Sequence, residues 1–186
     1  DYVFDGTGER PYAETDSVNP LGMYGTSKLA GEAYVMKENK EAVIIRTSWV
    51  YSSYGKNFVK TMMRLMKEKE QIGVVNDQQG SPTYAADLAG AIMRIIDKGT
   101  QPGIYHYCNE GIISWYEFAL AIREITGSTC MVNAITTADY PTPAKRPAYS
   151  ALNTQKIKNT FSLSIPKWKD SLRSCIKVLT AMHSDI

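Results

Sequence analysis

Tyr24 and Lys28 stand four residues apart in Tyr24-Gly25-Thr26-Ser27-Lys28. On a helix that spacing places a phenol and an ammonium side by side on one face. A cation beside a phenol favours the phenolate and turns the hydroxyl into a usable proton donor or acceptor. A carbonyl that receives a hydride at carbon needs such an acid, because its oxygen must take up a proton. The same spacing also occurs on ordinary solvated helix faces, so its meaning depends on what surrounds it.

The elements that would position the pair follow from pattern. A helix is expected over residues 20–39, with Asn19 as N-cap and Pro20 in the first position. Residues 1–6 read as the end of a buried strand running into a turn, and Pro11-Tyr12-Ala13-Glu14 as a polar loop. The β-branched, aromatic run from Ala42 to Tyr51 suits a buried strand with Arg46 in its middle. Helices are expected from Asn57 to Glu70 and from Tyr84 to Lys98, the latter turning Leu88, Ala89, Ile92, Ile95 and Ile96 inward and closed by Gly99.

Short strands are expected at Ile72–Val75, Gly103–Cys108 and Met131–Ile135. Ser114-Trp115-Tyr116-Glu117 reads as a capping box that opens a helix stopped by Gly127. Residues 139–147 form a proline-rich loop. A last helix starts at Pro166 and buries Trp168, Leu172, Ile176 and Leu179, with residues 181–186 fraying. Such alternation of strands and helices is the mark of an α/β fold.

Composition sets further bounds. With 186 residues and 44% hydrophobic content, the chain is long enough to bury a real core. A net charge of +2 makes no case for nucleic acid or an anionic membrane as partner. Cys108, Cys130 and Cys175 lack metal-ligand spacing and read as reduced, buried thiols of a cytoplasmic protein. No run of about eighteen apolar residues suggests a membrane span. His106, between Tyr105 and Tyr107, reads as a structural histidine, and Asp87 as a local cap or pairing residue.

Taken together, the strings DYVFDG, NPLGMYGTSKLAGE, RTSWVY, NFVKTMMRL, NDQQGSPTY and YPTPAKRP resemble the dTDP-4-dehydrorhamnose reductase family of extended short-chain dehydrogenases/reductases. The likeness runs from Asp1 to about Leu179. YxxxK is common to the superfamily, whereas RTSWVY, NDQQGSPT and TPAKRP are narrower. The resemblance implies the C-terminal part of a Rossmann-like doubly wound parallel sheet plus a smaller mixed α/β substrate-binding region. Residues 1–52 would carry the catalytic helix, and residues 53–186 would be mainly substrate-binding, interleaved with the last Rossmann elements.

The likeness also assigns roles. Tyr24 and Lys28 would be catalytic and would contact the cofactor, NADPH or NADH. Trp49 would lie against the sugar ring, and Asn57 and Phe58 would open the nucleotide-diphosphate site. Gln78, Gly80, Pro82 and Thr83 would shape a ligand-positioning loop, Arg146 would meet the diphosphate, and Asp1 and Tyr2 would touch the sugar. Some members hold a metal through carboxylates at a dimer interface. Ala86 stands near one such ligand position, so no metal is expected here, although a homodimer is allowed.

No Gly-rich turn for a dinucleotide pyrophosphate follows a strand in this sequence, and Gly6-Thr7-Gly8 has no helix pattern behind it. The resemblance therefore implies a longer parent chain, with the cofactor half and a catalytic Ser/Thr upstream of Asp1. The 186 residues alone are expected to be inactive. Two other resemblances stay open: another extended-family epimerase or dehydratase acting on a nucleotide-sugar, and the non-catalytic regulatory subunit of methionine adenosyltransferase.

Overall fold

The structure is a computed structural model that describes residues 1–184. Its elements are α1 (Met23–Glu38), β1 (Val43–Arg46), β2 (Val50–Tyr51), α2 (Phe58–Glu68), β3 (Gln71–Val75), β4 (Gln79–Gly80) and β5 (Thr83–Tyr84). They continue with α3 (Ala85–Lys98), β6 (Gly103–His106), β7 (Ile113–Ser114), α4 (Trp115–Thr126), β8 (Met131–Ile135), α5 (Gln155–Phe161) and α6 (Trp168–Ser184).

The fold is α/β, with its strands in short pairs. β1 runs parallel to β6, β2 to β5 and β3 to β8, while β4 and β7 are antiparallel. The largest core lies where α2 and α4 pack over β3 and β8 and α6 packs on α4 and β5, around Val59, Phe118, Ile122, Leu172 and Leu179. A second core joins α3, β6 and α5 through Ile95, Tyr105, Ile157 and Phe161. A third gathers Val3, Phe4, Tyr12, Cys108 and Leu152.

Several local expectations need correction. Residues 1–6 form turns, with the Phe4 N–H bonded to the Asp1 carbonyl at 3.2 Å. Val3 and Phe4 are still buried, so the apolar signal reported burial and not a strand. α1 starts at Met23 behind an N-cap at Gly22 that makes no side-chain bond. Asn19 precedes a proline, which pushes its backbone away from the helical region, and its N–H goes to the Val3 carbonyl at 2.9 Å.

The run 42–51 is broken at Thr47–Trp49, where Trp49 adopts φ 46°. On α3 only Ala91 and Ile95 are buried, while Ile92 and Ile96 are exposed, because the covered stripe is narrower than the apolar run. The sequence reading missed α5, which has only seven residues. α6 continues to Ser184, and residues 185–186 lie outside the described part.

Asp87 does not pair locally. Its Oδ2 accepts from Ser171 Oγ at 2.5 Å and from Asn109 Nδ2 at 2.7 Å, joining the starts of α3 and α6 to the chain after β6. Asn109 also receives the Tyr84 N–H at 2.8 Å. Satisfied buried polar networks of this kind fix which elements may meet.

Candidate active site

α1 presents its chemistry outward. Tyr24 is 62% exposed, and Lys28 Nζ stands 5.3 Å from the centre of its ring. Behind the pair, Gly25 is the one buried residue of the helix. A Cβ at Gly25 would come within 2.2 Å of the Tyr2 carbonyl oxygen, so only glycine lets α1 settle on the N-terminal segment. Tyr2 meets Tyr24 edge-on at 5.7 Å. The helix is also bolted to β1 by Glu32, whose carboxylate takes Arg46 Nη2 at 2.7 Å and Nε at 2.9 Å.

A second group of residues forms an aromatic wall. Trp49 and Trp115 stack at 3.6 Å and 10°, and Phe58 leans on Trp115 at 4.7 Å. Gly80 sits against Trp49; a Cβ there would approach both Trp49 Cε2 and Ser150 Oγ to 2.7 Å. Phe58, Gln78, Trp115 and Arg146 line one cavity of about 730 Å³, together with Lys69, Gly73, Ile135, Tyr140 and Thr142. Its mixed lining of rings, an amide and cations suits a ligand with a flat apolar part and an anionic part.

The remaining candidates act from behind this surface. The Asn57 side chain caps α2, accepting the Lys60 N–H at 3.2 Å and donating to the Ser52 carbonyl at 2.7 Å. It lines a neighbouring cavity with Lys56, Lys60, Arg64 and Lys67. Gln78 is buried and donates to Thr137 Oγ1 at 3.0 Å. Pro82 is buried, and its carbonyl accepts the Asn109 N–H. Thr83 is fully buried; it accepts from Thr47 Oγ1 at 3.1 Å, and its N–H goes to the Trp49 carbonyl. Arg146 is exposed, whereas Asp1 Oδ2 is buried without a hydrogen-bond partner among the described residues.

Thr137 explains how the loop after β8 is held. The Asp77 carboxylate accepts its N–H at 2.9 Å and its hydroxyl at 2.7 Å, and those bonds keep the Asp77 carboxyl below its ordinary value. His106 is fully buried, with Nδ1 3.0 Å from the Tyr12 carbonyl. Burial, followed by the nearby Arg46 charge, pushes it down to about 4, so it is neutral and structural at ordinary pH.

Sequence reading missed Trp115, Tyr140 and Thr142 as lining residues. Trp115 was visible only as the first helical residue behind a cap; its ring direction depends on α4 lying across β3 and β8. For a dinucleotide cofactor, Tyr24 and Lys28 offer an exposed phenol and cation that fit a nicotinamide ribose. The glycines near the start do not fit its pyrophosphate. Gly6, at φ 79°, packs on Pro147, and Gly8 packs on the Tyr12 ring.

A family model described as RmlD substrate binding domain matches residues 1–181. A dTDP-4-dehydrorhamnose reductase of Aggregatibacter actinomycetemcomitans is 44% identical over 185 residues, covering 94% of this chain and 63% of the relative. A crystal structure of a dTDP-4-dehydrorhamnose reductase from Clostridium acetobutylicum matches with a TM-score of 0.92 at 42% identity, over 96% of this chain and 63% of that one. The enzyme of that name from Bacillus anthracis, solved in complex with NADP, matches at 0.89 and 40% identity, over 94% and 62%. The chain thus spans a little under two thirds of the length of these relatives.

Proposed function

The chain belongs to the RmlD substrate binding domain family, and from that membership we propose that it supplies the acid helix and sugar-nucleotide wall of a dTDP-4-dehydrorhamnose reductase. In this reading the C4 keto group of dTDP-4-dehydro-L-rhamnose is reduced to give dTDP-L-rhamnose, a donor for cell-surface polysaccharides. Residues 1–52 belong to the catalytic domain and residues 53–186 mainly to the substrate-binding region. No helix among the described residues is long and apolar enough to cross a membrane. The buried free thiols fit a reducing compartment, the cytoplasm.

One observation carries the reading: Tyr24 and Lys28 stand together on the exposed face of α1 in a chain 44% identical to a reductase of that name. A bound nicotinamide cofactor, NADPH or NADH, supplies the hydride. The Tyr24 hydroxyl gives its proton to the oxygen on C4 as negative charge develops there. Lys28 holds the nicotinamide ribose and stabilises the phenolate left behind.

The binding residues divide the ligand between them. Trp49 offers apolar surface to the C–H side of the deoxysugar, with Asp1 and Tyr2 near its polar groups. Arg146 and the start of α2 at Asn57-Phe58 serve the diphosphate. Gln78, Gly80, Pro82 and Thr83 keep the loop beneath Trp49 in shape.

The test is steady-state reduction of the dTDP-keto-sugar by a full-length reductase that contains this chain. Tyr24→Phe lowers turnover by about 10²–10⁴-fold, the usual worth of general acid catalysis, while the fold and cofactor binding persist. A Phe variant within about threefold of wild type would remove Tyr24 from the mechanism.

A further inference from the structure

Trp49 holds a backbone conformation that its residue type disfavours. Its φ of 46° is one of only two positive values at non-glycine residues among the described part, and the other, Ser162, closes α5. A left-handed backbone is disfavoured for a bulky residue and persists only where neighbours enforce it. One enforcement is backbone: the Trp49 carbonyl accepts the Thr83 N–H at 3.2 Å. Another is beside it, where Ser48 Oγ donates to the Ser81 carbonyl at 2.6 Å. Neither fixes the indole.

The ring itself is fixed by Trp115. The two indoles lie 3.6 Å apart and nearly parallel, and Gly80 closes on the six-membered ring of Trp49. Trp115 is in turn rigidly mounted. It is the first residue of α4, directly behind Ser114, whose Oγ accepts the Glu117 N–H at 3.1 Å while Glu117 accepts the Ser114 N–H at 2.7 Å. Ser114 Oγ also donates to Asn76 Oδ1 at 2.8 Å, and Phe58 leans on the Trp115 ring. Trp49 is only partly buried, so surface remains for a ligand.

We propose that Trp115 is a positioning residue for the sugar subsite: it stacks on Trp49, holds that indole in its left-handed setting and so fixes the angle at which the sugar meets the acid helix. This rests on the functional reading above. Trp115 takes no part in proton transfer. Its effect is on where the sugar lies, and misplacement of that kind costs rate as well as affinity.

The experiment uses a full-length reductase containing this chain, with the dTDP-keto-sugar as substrate and dTDP as the probe of the nucleotide part alone. Trp115→Leu raises KM for the keto-sugar or lowers kcat so that kcat/KM falls by about 10–100-fold. Its KM for the cofactor stays within about threefold of wild type, a change of under about 1 kcal/mol, and its loss of dTDP affinity is several-fold smaller than its loss of kcat/KM. Trp115→Phe, which keeps a stacking face, restores most of kcat/KM. The exciton signal of two stacked indoles in far-ultraviolet circular dichroism disappears in Trp115→Leu and in Trp49→Phe alike, and the double variant is no worse in kcat/KM than Trp49→Phe alone.

If Trp115→Leu does not fold, Trp115→Met, which keeps the bulk but not the stacking face, takes its place in every comparison. An active wild type with kcat/KM unchanged in Trp115→Leu or Trp115→Met overturns this proposal and leaves the functional reading in place. Equal losses for dTDP, cofactor and keto-sugar also overturn it, since they report general damage. A wild type that cannot reduce the keto-sugar overturns the functional reading and this proposal with it.

Discussion

Glu32 and Arg46 meet across the gap between α1 and β1, 2.7 Å apart, with their side chains only 13% and 6% exposed. Three hydrogen bonds join them, and the Arg46 guanidinium also lies 5.4 Å from the Phe4 ring. The pair is thus both an anchor for α1 and a charge that the fold has taken out of water.

Removing one partner leaves the other buried and uncompensated. Glu32→Gln is expected to destabilise the protein by about 3–5 kcal/mol, because an unpaired buried charge costs more than the pair contributes. Replacing both, as Glu32→Leu with Arg46→Met, recovers much of that loss. Urea unfolding of the three proteins measures it. A Glu32→Gln loss under about 1 kcal/mol would show that water reaches Arg46 and that the anchor is weak.

Among the described residues Lys28 makes no ion pair, and its Nζ lies 5.3 Å from the centre of the Tyr24 ring. Lys28→Met is therefore expected to leave stability unchanged while raising the cofactor KM by about tenfold or more, the worth of a charged hydrogen bond. Initial rates at varied NADPH and NADH give the answer. Unchanged cofactor KM and kcat would mark Lys28 as an ordinary surface residue.

His106 gives a pH prediction. Its ordinary value is 6.5, and burial lowers it to about 4 in the folded protein. Between those values the unfolded chain binds a proton that the folded chain refuses. This group's share of stability is therefore complete above about pH 6.5, lost progressively as pH falls towards 4, and amounts to about 3 kcal/mol. His106→Gln cannot titrate, so its stability falls less than that of wild type between pH 7 and pH 4.5. Parallel slopes for the two proteins would mean that His106 is charged in the fold.

Parts of this were plain in the sequence because they are local. The capping box of Ser114 and Glu117 and the stop at Gly127 depend on a few adjacent residues, and both are present. The shared face of Tyr24 and Lys28 needs only a helix, which is there even though it starts at Met23. Trp49 was hidden inside a β-branched run, whose propensity says strand; the break follows from Thr83, Gly80 and Trp115 closing on it from distant segments. Asp87 likewise looked local, although its partner Ser171 is 84 residues away. Gln78 and Thr83 look like loop residues in sequence, yet both are buried, Gln78 bonded to Thr137 and Thr83 to Thr47 and Trp49.

The strip of chain that carries Tyr140, Thr142 and Arg146 over the cavity is buckled at both ends. Thr137 is clasped by Asp77, and the Ala148 carbonyl takes the Gln79 N–H at 2.8 Å. Between these buckles the strip is exposed except at Pro147, which packs on Gly6, and it contributes little to the main cores. Its length and composition can therefore drift with little cost to folding, since lengthening a surface loop is entropically cheap. The helix α1 has no such latitude, with Gly25 pressed on Tyr2 and Glu32 tied to Arg46. Inheritance can thus retailor the lining of the cavity while the mounting of Tyr24 and Lys28 stays fixed.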